Sequence, residues 1–107
     1  PGPTSYSSIK AAATVYAAGL AQTLAAKGIR VNTIAPGPIF FEDGPWDKIK
    51  QAMPEFYEGT VKDQPSGRMG SAEEVANVAA FICSPAASWV TGANIVVDGG
   101  YTKRIEF

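Results

Sequence analysis

Two short apolar segments, residues 29–35 and residues 93–97, most constrain what this chain can fold into. The first is stopped by a Pro-Gly-Pro sequence at residues 36–38, and the second is closed by an Asp-Gly-Gly sequence at residues 98–100. Both patterns are typical of short strands that end in turns. Because a helix is predicted between the two strands, they form a β-α-β crossover, the unit from which parallel sheets are built. The sequence therefore predicts an α/β fold.

Two helices are predicted around the first strand. Residues 6–27 are rich in alanine and contain no proline, and Gly28 is the expected left-handed stop after them. The second helix begins with a capping box formed by Ser71 and Glu74, and Pro85 is expected to end it. The predicted order of elements is helix, strand, loop, helix, strand.

A long connection at residues 40–67 separates the first strand from the second helix. Large apolar residues recur in it at helical spacing around Pro54, which predicts one short amphipathic helix in an otherwise irregular and mobile segment. Long connections of this kind are often substrate loops or lids, and we interpret this one so. Its aromatic residues either line a substrate or cover a core or a subunit contact: Phe40, Phe41, Trp46, Phe56 and Tyr57.

Charge and composition exclude several classes of function. Nine Lys and Arg residues against ten Asp and Glu residues, without a run of like charge, give no indication of binding to nucleic acid or to a membrane surface. No apolar run approaches the roughly 20 residues that span a bilayer, and the first residues do not resemble a signal peptide. We therefore expect a cytoplasmic location, with no nucleic acid or membrane partner.

The residue inventory also restricts the chemistry. The chain has no histidine and a single cysteine, which excludes histidine-based triads, nearly all zinc sites and an internal disulfide. We expect no metal, and we expect Cys83 to be a small core residue. Carboxylate, lysine and tyrosine side chains remain for acid–base chemistry.

Tyr6 and Lys10 are four residues apart on the first predicted helix and should lie on one face of it. Because an ammonium stabilises a nearby phenolate, the two side chains could act together as one general acid–base. The spacing alone also occurs in solvated surface pairs that have no chemical role. The neighbouring sequence therefore decides between the two interpretations.

Four stretches occur in a characteristic order and spacing. They are SYSSIKAA at residues 5–12, GIRVNTIAPGPI at residues 28–39, RMGSAEEVA at residues 68–76 and VTGANIVVDGG at residues 90–100. Together they closely resemble the short-chain dehydrogenase/reductase family over nearly the whole chain. The resemblance implies that residues 1–107 are the C-terminal segment of a single domain with a doubly wound, Rossmann-like parallel sheet, with the substrate loop at about residues 40–67.

The resemblance also implies a function and a set of site residues. Members of the family interconvert carbonyls and alcohols on small molecules with NAD or NADP, and the sequence does not decide between these cofactors. Tyr6 would be the general acid–base, and Lys10 would be its electrostatic partner and would hold the ribose hydroxyls of the nicotinamide. Pro36 and Gly37 would form the turn at the carboxyl end of their strand, where open α/β sheets bind ligands, and the backbone of Ile39 would contact the nicotinamide carboxamide. The resemblance thus implies five cofactor-binding residues: Tyr6, Lys10, Pro36, Gly37 and Ile39. The alternatives are that Pro36 and Gly37 only terminate a strand and that Ile39 only packs.

Two departures from the family pattern qualify this function. Phe41 stands where the family commonly has a threonine that contacts the cofactor. The chain also contains neither Gly-x-x-x-Gly-x-Gly nor Gly-x-Gly-x-x-Gly, so the family's phosphate loop would lie upstream of Pro1.

Two hypotheses remain open after these departures. The chain is either part of an enzyme and inactive alone, or a truncated, non-catalytic module that self-associates. In both cases we expect a homo-oligomer, a dimer or a tetramer, built through the small-residue face of the first helix and through the final strand with its preceding helix.

Overall fold

A computed structural model of the protein describes residues 4–103. The chain divides into two compact units. The first consists of Pro1–Ile34 and Phe81–Ile95, and the second of Ala35–Ala80 and Val96–Phe107.

The first helix, α1, spans Thr4–Leu24 and begins two residues earlier than predicted. Its predicted last turn is a 3-10 turn at Ala25–Lys27 instead of α-helix. Gly28 then adopts the left-handed conformation with a φ of 73°, as predicted, and its N–H donates to the carbonyl of Ala25 at 3.0 Å. The long helix and its glycine stop are therefore confirmed.

The strands β1 (Thr33–Pro36) and β4 (Asn94–Val97) form a two-stranded sheet. β1 begins later than the predicted start at residue 29, because the residues before it make other hydrogen bonds. The side chain of Asn32 donates to the carbonyl of Val90 at 2.9 Å and accepts from the N–H of Ala93 at 3.0 Å. These bonds replace the regular pairing of a strand. The strand ends at Pro36, as the Pro-Gly-Pro sequence predicts.

The predicted irregular connection at residues 40–67 is wrong in two respects. It begins in a short strand, β2 (Ile39–Phe40), which pairs in parallel with β3 (Gly70–Ser71). It then forms two helices instead of one, α2 (Pro45–Ala52) and α3 (Pro54–Asp63). Pro54 explains the division, because a proline cannot continue a helix but fits the first position of the next one.

The helix α4 (Ala72–Ile82) begins with the predicted capping box. The N–H of Glu74 donates to Ser71 Oγ at 3.2 Å, and the N–H of Ser71 donates to Glu74 Oε1 at 3.0 Å. The helix ends at Ile82, and Pro85 begins a 3-10 turn after it. Cys83 lies beyond the end of the helix and is exposed, so its prediction as a core residue is wrong.

The capping box gives a prediction about pH. Arg68 donates to both carboxylate oxygens of Glu74, at 2.7 and 3.1 Å. These bonds, together with the bond from the Ser71 N–H, lower the pKa of Glu74 from 4.5 to about 2. The stabilisation is therefore complete above pH 4.5 and is lost as the pH falls from there towards 2. Denaturant unfolding between pH 6 and pH 2 should show this loss in the wild type. A Glu74→Gln variant, which keeps a capping side chain without the charge, should lose less stability over this pH range. If the free energy of unfolding falls equally with pH in the variant and the wild type, the prediction is contradicted.

Few apolar residues are buried. Ala21, Met69, Ile82 and Ala87 are the buried apolar residues within the part of the chain that the structure describes. Many large apolar side chains remain exposed, above all Trp89, which is 97% exposed. Within residues 4–103, no helix is long and apolar enough to cross a membrane.

Candidate functional site

Tyr6 and Lys10 lie on the first turns of α1, and their side chains meet as the four-residue spacing predicts. Lys10 Nζ is 5.8 Å from the centroid of the Tyr6 ring, within the range of a cation–π contact. Both residues are exposed, and 61% of Tyr6 is accessible to solvent. The pair thus places an ammonium against the ring of a phenol on an exposed helix face.

Pro36, Gly37 and Ile39 come together in the second unit, where β1 ends and β2 begins. The N–H of Gly37 donates to the carbonyl of Val97 at 2.9 Å. A Cβ at Gly37 would lie 2.7 Å from Asp98 Cβ and 2.9 Å from Asp98 Cα, so only glycine fits this approach. The structure of the turn therefore requires glycine at position 37, whether or not the turn binds a ligand.

The backbone of Ile39 faces away from β3. Ile39 pairs with Gly70, and the N–H of Gly70 donates to the carbonyl of Pro38 at 3.0 Å. Since the polar groups of successive residues in a strand alternate between its two edges, the N–H and C=O of Ile39 point to the opposite edge of β2. The side chain of Ile39 packs against Gly70, where a Cβ would lie 2.7 Å from Ile39 Cδ1. The backbone of Ile39 can thus contact a ligand while its side chain packs.

Phe41, the departure from the family pattern, begins a tight turn into α2. Its ring lies against Gly44, where a Cβ would come within 2.7 to 2.9 Å of three ring atoms. Asp43 has a φ of 62°, and its N–H donates to Asp47 Oδ2 at 2.9 Å, which lowers the pKa of the Asp47 carboxyl. Phe41 therefore replaces a hydroxyl by a ring that helps to shape this turn.

The aromatic residues of the predicted substrate loop form two pairs. Trp46 of α2 stacks on Phe56 of α3 with ring centroids 5.9 Å apart, and Phe40 of β2 meets Tyr57 of α3 edge to face at 6.1 Å. Phe56 is still 56% exposed, although one face of its ring is covered. The segment thus has an internal aromatic core and also presents apolar surface.

A cavity of about 70 Å³ beside Ile39 was not predicted from the sequence. Gln64, Arg68 and Asp98 contribute polar groups to its lining. Gln64 is only 5% exposed, and its Nε2 donates to the carbonyl of Thr60 at 3.0 Å. A buried glutamine after a helix gives no periodic signal in the sequence, which is why it was missed.

Each unit by itself offers groups of the kind that a nicotinamide cofactor uses. In the first unit the Tyr6–Lys10 pair has groups suited to a ribose hydroxyl, and in the second unit the outward backbone of Ile39 has a donor and an acceptor suited to a carboxamide. The glycines of the sequence do not form a recognised phosphate-binding pattern. Within the described residues, no group of three or more His, Cys, Asp or Glu side chains could hold a metal ion.

Comparison with known proteins assigns the chain to a family. A family model described as enoyl-(acyl carrier protein) reductase matches residues 1–102. The chain belongs to the short-chain dehydrogenase/reductase family. This family of oxidoreductases is the one that the four sequence stretches indicated, so that prediction is confirmed.

Relatives and solved structures agree with this membership. The chain is 49% identical over 105 residues to isoepoxydon dehydrogenase patN of Aspergillus clavatus, covering 98% of this chain and 40% of the relative. It is 44% identical over 103 residues to 7alpha-hydroxysteroid dehydrogenase of Escherichia coli K12, covering 95% of this chain and 38% of the relative. The crystal structure of a short chain dehydrogenase family protein from Francisella tularensis matches with a TM-score of 0.82 and 29% identity, covering 97% of this chain and 46% of that one.

These matches confirm the predicted fold class, an α/β fold that corresponds to a C-terminal part of the Rossmann-like domain. The chain spans about 40% of the length of the curated relatives it matches. The roles of Tyr6, Lys10, Pro36, Gly37 and Ile39 remain predictions.

Proposed function

We propose that this chain carries the acid–base pair and the nicotinamide contacts of an NAD(P)-dependent oxidoreductase that interconverts a small-molecule alcohol and the corresponding carbonyl. The observation that supports this most is the contact of Lys10 Nζ with the Tyr6 ring at 5.8 Å. It lies at the position where the family pattern has its catalytic pair.

In this proposal Tyr6 Oη passes the proton to or from the oxygen of the substrate. Lys10 stabilises the phenolate of Tyr6, which accepts the alcohol proton in the oxidation direction and forms when Tyr6 protonates the substrate oxygen in the reduction direction, because its charge is opposite and close. Lys10 also binds the ribose hydroxyls, and the backbone of Ile39 orients the carboxamide. The cofactor, when bound, supplies or accepts the hydride. Pro36 and Gly37 form the turn from which Ile39 starts.

We propose an apolar alcohol or ketone as the substrate. The α2–α3 segment exposes the large apolar side chains of Met53 and Phe56, at 53% and 56%. Such side chains gain free energy by covering an apolar ligand. One relative is named for a hydroxysteroid, which is consistent with this class.

The second candidate function is a non-catalytic module that self-associates. The exposed apolar residues of the first unit favour it, because Trp89 at 97% and Val15 at 73% exposure would be more stable in an interface. The two candidates agree in predicting a homo-oligomer. They differ in whether a nicotinamide nucleotide binds.

The test is a fluorescence titration of the purified protein with NADH and with NADPH, with sedimentation velocity on the same sample. We expect saturable binding of one nucleotide, weakened about tenfold or more in a Lys10→Met variant because a charge-assisted hydrogen bond to ribose is lost. Lys27→Met is the matched control, since Lys27 is an exposed lysine in the same unit. Absence of binding by a folded oligomer would contradict the enzyme and favour the second candidate.

A further inference from the structure

Lys50 connects three elements of the second unit. Its Nζ lies 5.5 Å from the centroid of the Phe40 ring and 5.3 Å from the centroid of the Tyr57 ring. Phe40 belongs to β2, Tyr57 belongs to α3, and Lys50 itself lies on α2. One ammonium therefore contacts a ring on each of the two elements that pack against its own helix.

The two rings lie close enough together for one cation to contact both. They meet edge to face at 6.1 Å, and both residues are half-buried. An ammonium within about 6 Å of a ring centroid is attracted to the negative face of the ring, and the attraction grows where water is partly excluded. The apolar stem of the lysine covers further ring surface while its charge stays near solvent. The contact thus favours one arrangement of α2 and α3 on β2.

The contact of Lys50 with Phe40 lies next to Ile39, the residue whose backbone has a proposed ligand contact. β2 consists of Ile39 and Phe40, so the ring that Lys50 contacts is next to the outward-facing backbone of Ile39. Any movement of α2 away from β2 separates Lys50 from Phe40. The frequency of that movement depends on the strength of the ammonium–ring contact.

We propose that Lys50 is a positioning residue that holds the α2–α3 segment on β2 and so limits how often this segment opens. A more open segment would bind substrate less well without changing the proton transfer. This catalytic consequence rests on the proposed function, whereas the positioning itself does not.

The experiment uses Trp46 as a reporter. A Trp89→Phe background leaves Trp46, which stacks on Phe56, as the only tryptophan of the chain. In this background Lys50→Met removes the charge and keeps an apolar stem. We expect amide hydrogen exchange in α2 and α3 to become about fivefold faster and acrylamide quenching of Trp46 to increase, because the cation–π contacts are lost. Lys50→Arg should restore both values, since a guanidinium also binds ring faces.

The matched control is Lys48→Met, which removes an exposed lysine from the same helix. Within residues 4–103, Lys48 makes no ring contact, so we expect its variant to behave as the wild type. Unchanged exchange in Lys50→Met would overturn the proposal. Exchange that accelerates equally in α4 would also overturn it, because the effect would then be a general loss of stability.

Kinetics separate this inference from the proposed function. When the chain is assayed together with the part of the domain that its relatives have in addition, with an alcohol substrate and NAD⁺ or NADP⁺, we expect Lys50→Met to raise KM about fivefold with little change in kcat, and Lys50→Arg to restore KM. If no alcohol is oxidised but the exchange result holds, the proposed function fails and the positioning role stands. If kcat falls and KM does not change, the consequence that we infer for substrate binding is wrong.

Discussion

Replacing Tyr6 with phenylalanine is expected to lower kcat for alcohol oxidation by about 10²- to 10⁴-fold, the usual contribution of a positioned general acid–base, when the chain is assayed together with the part of the domain that its relatives have in addition. The change removes one oxygen atom and leaves the ring in place. The contact of Lys10 with that ring, at 5.8 Å from its centroid, can therefore persist. Binding of the nicotinamide nucleotide should change much less than kcat. Steady-state rates and a nucleotide titration on the same samples measure both quantities.

Tyr16→Phe is the control for this prediction. Tyr16 lies on the same helix and is 69% exposed, close to the 61% of Tyr6, so the two substitutions remove the same atom from similar surroundings. We expect Tyr16→Phe to retain wild-type kcat. Equal rates in Tyr6→Phe and the wild type would refute the role of Tyr6 and would support the non-catalytic module. Equal losses in both variants would point to damage to the helix instead of lost chemistry.

Local signals in the sequence were sufficient for the helices and their ends. The spacing of Tyr6 and Lys10 predicted their contact, because residues four apart on a helix are neighbours. Gly28 predicted the left-handed stop, and Ser71 with Glu74 predicted the capping box. Each of these features depends on residues within one or two turns of the chain, so no knowledge of the tertiary structure is needed.

Pairing between distant residues explains most of the errors. β2 has only two residues, and it exists because Ile39 pairs with Gly70 across the α2–α3 segment. A strand of two residues has no periodicity that a sequence pattern could reveal. The late start of β1 has the same origin, since Asn32 bonds to Val90 and Ala93, which are about 60 residues away.

The sequence contains enough information to predict that the connection divides into α2 and α3. Pro54 lies inside the helical pattern, and a proline there both ends one helix and begins the next. The apolar neighbours of Cys83 predict a core position, which is wrong. Cys83 is exposed because α4 ends at Ile82, so the cysteine no longer follows the buried face of the helix.

The candidate site residues differ in the same respect. The contact of Tyr6 with Lys10 in the first unit follows from their spacing alone. The outward direction of the Ile39 backbone in the second unit does not, because it depends on the pairing with Gly70. The position of Lys50 likewise needs Phe40 and Tyr57 from two other elements. The sequence could therefore supply the residue types of the site and only part of its geometry.

Gly37→Ala is expected to destabilise the protein by about 1 to 3 kcal/mol, the usual cost of forcing an extra methyl group into a close contact. The new Cβ would lie 2.7 Å from Asp98 Cβ and 2.9 Å from Asp98 Cα, so backbone has to move. Asp98 cannot move freely, because its carboxylate accepts the N–H groups of Gly100 at 2.9 Å and Thr102 at 2.8 Å. The bond from the Gly37 N–H to the carbonyl of Val97 at 2.9 Å would be strained as well. Denaturant unfolding of the variant measures the cost.

Gly59→Ala is the matched control for this substitution. Gly59 lies in α3 of the same unit, and a Cβ there would have nothing within 4 Å. We expect this variant to gain about 0.5 to 1 kcal/mol, because alanine is a better helix former than glycine. If Gly37→Ala is as stable as the wild type, the approach to Asp98 is not what requires glycine there. If it is destabilised while nucleotide binding is unchanged at low temperature, the turn at Gly37 is structural, and the proposed contact of Pro36 and Gly37 with the cofactor is wrong.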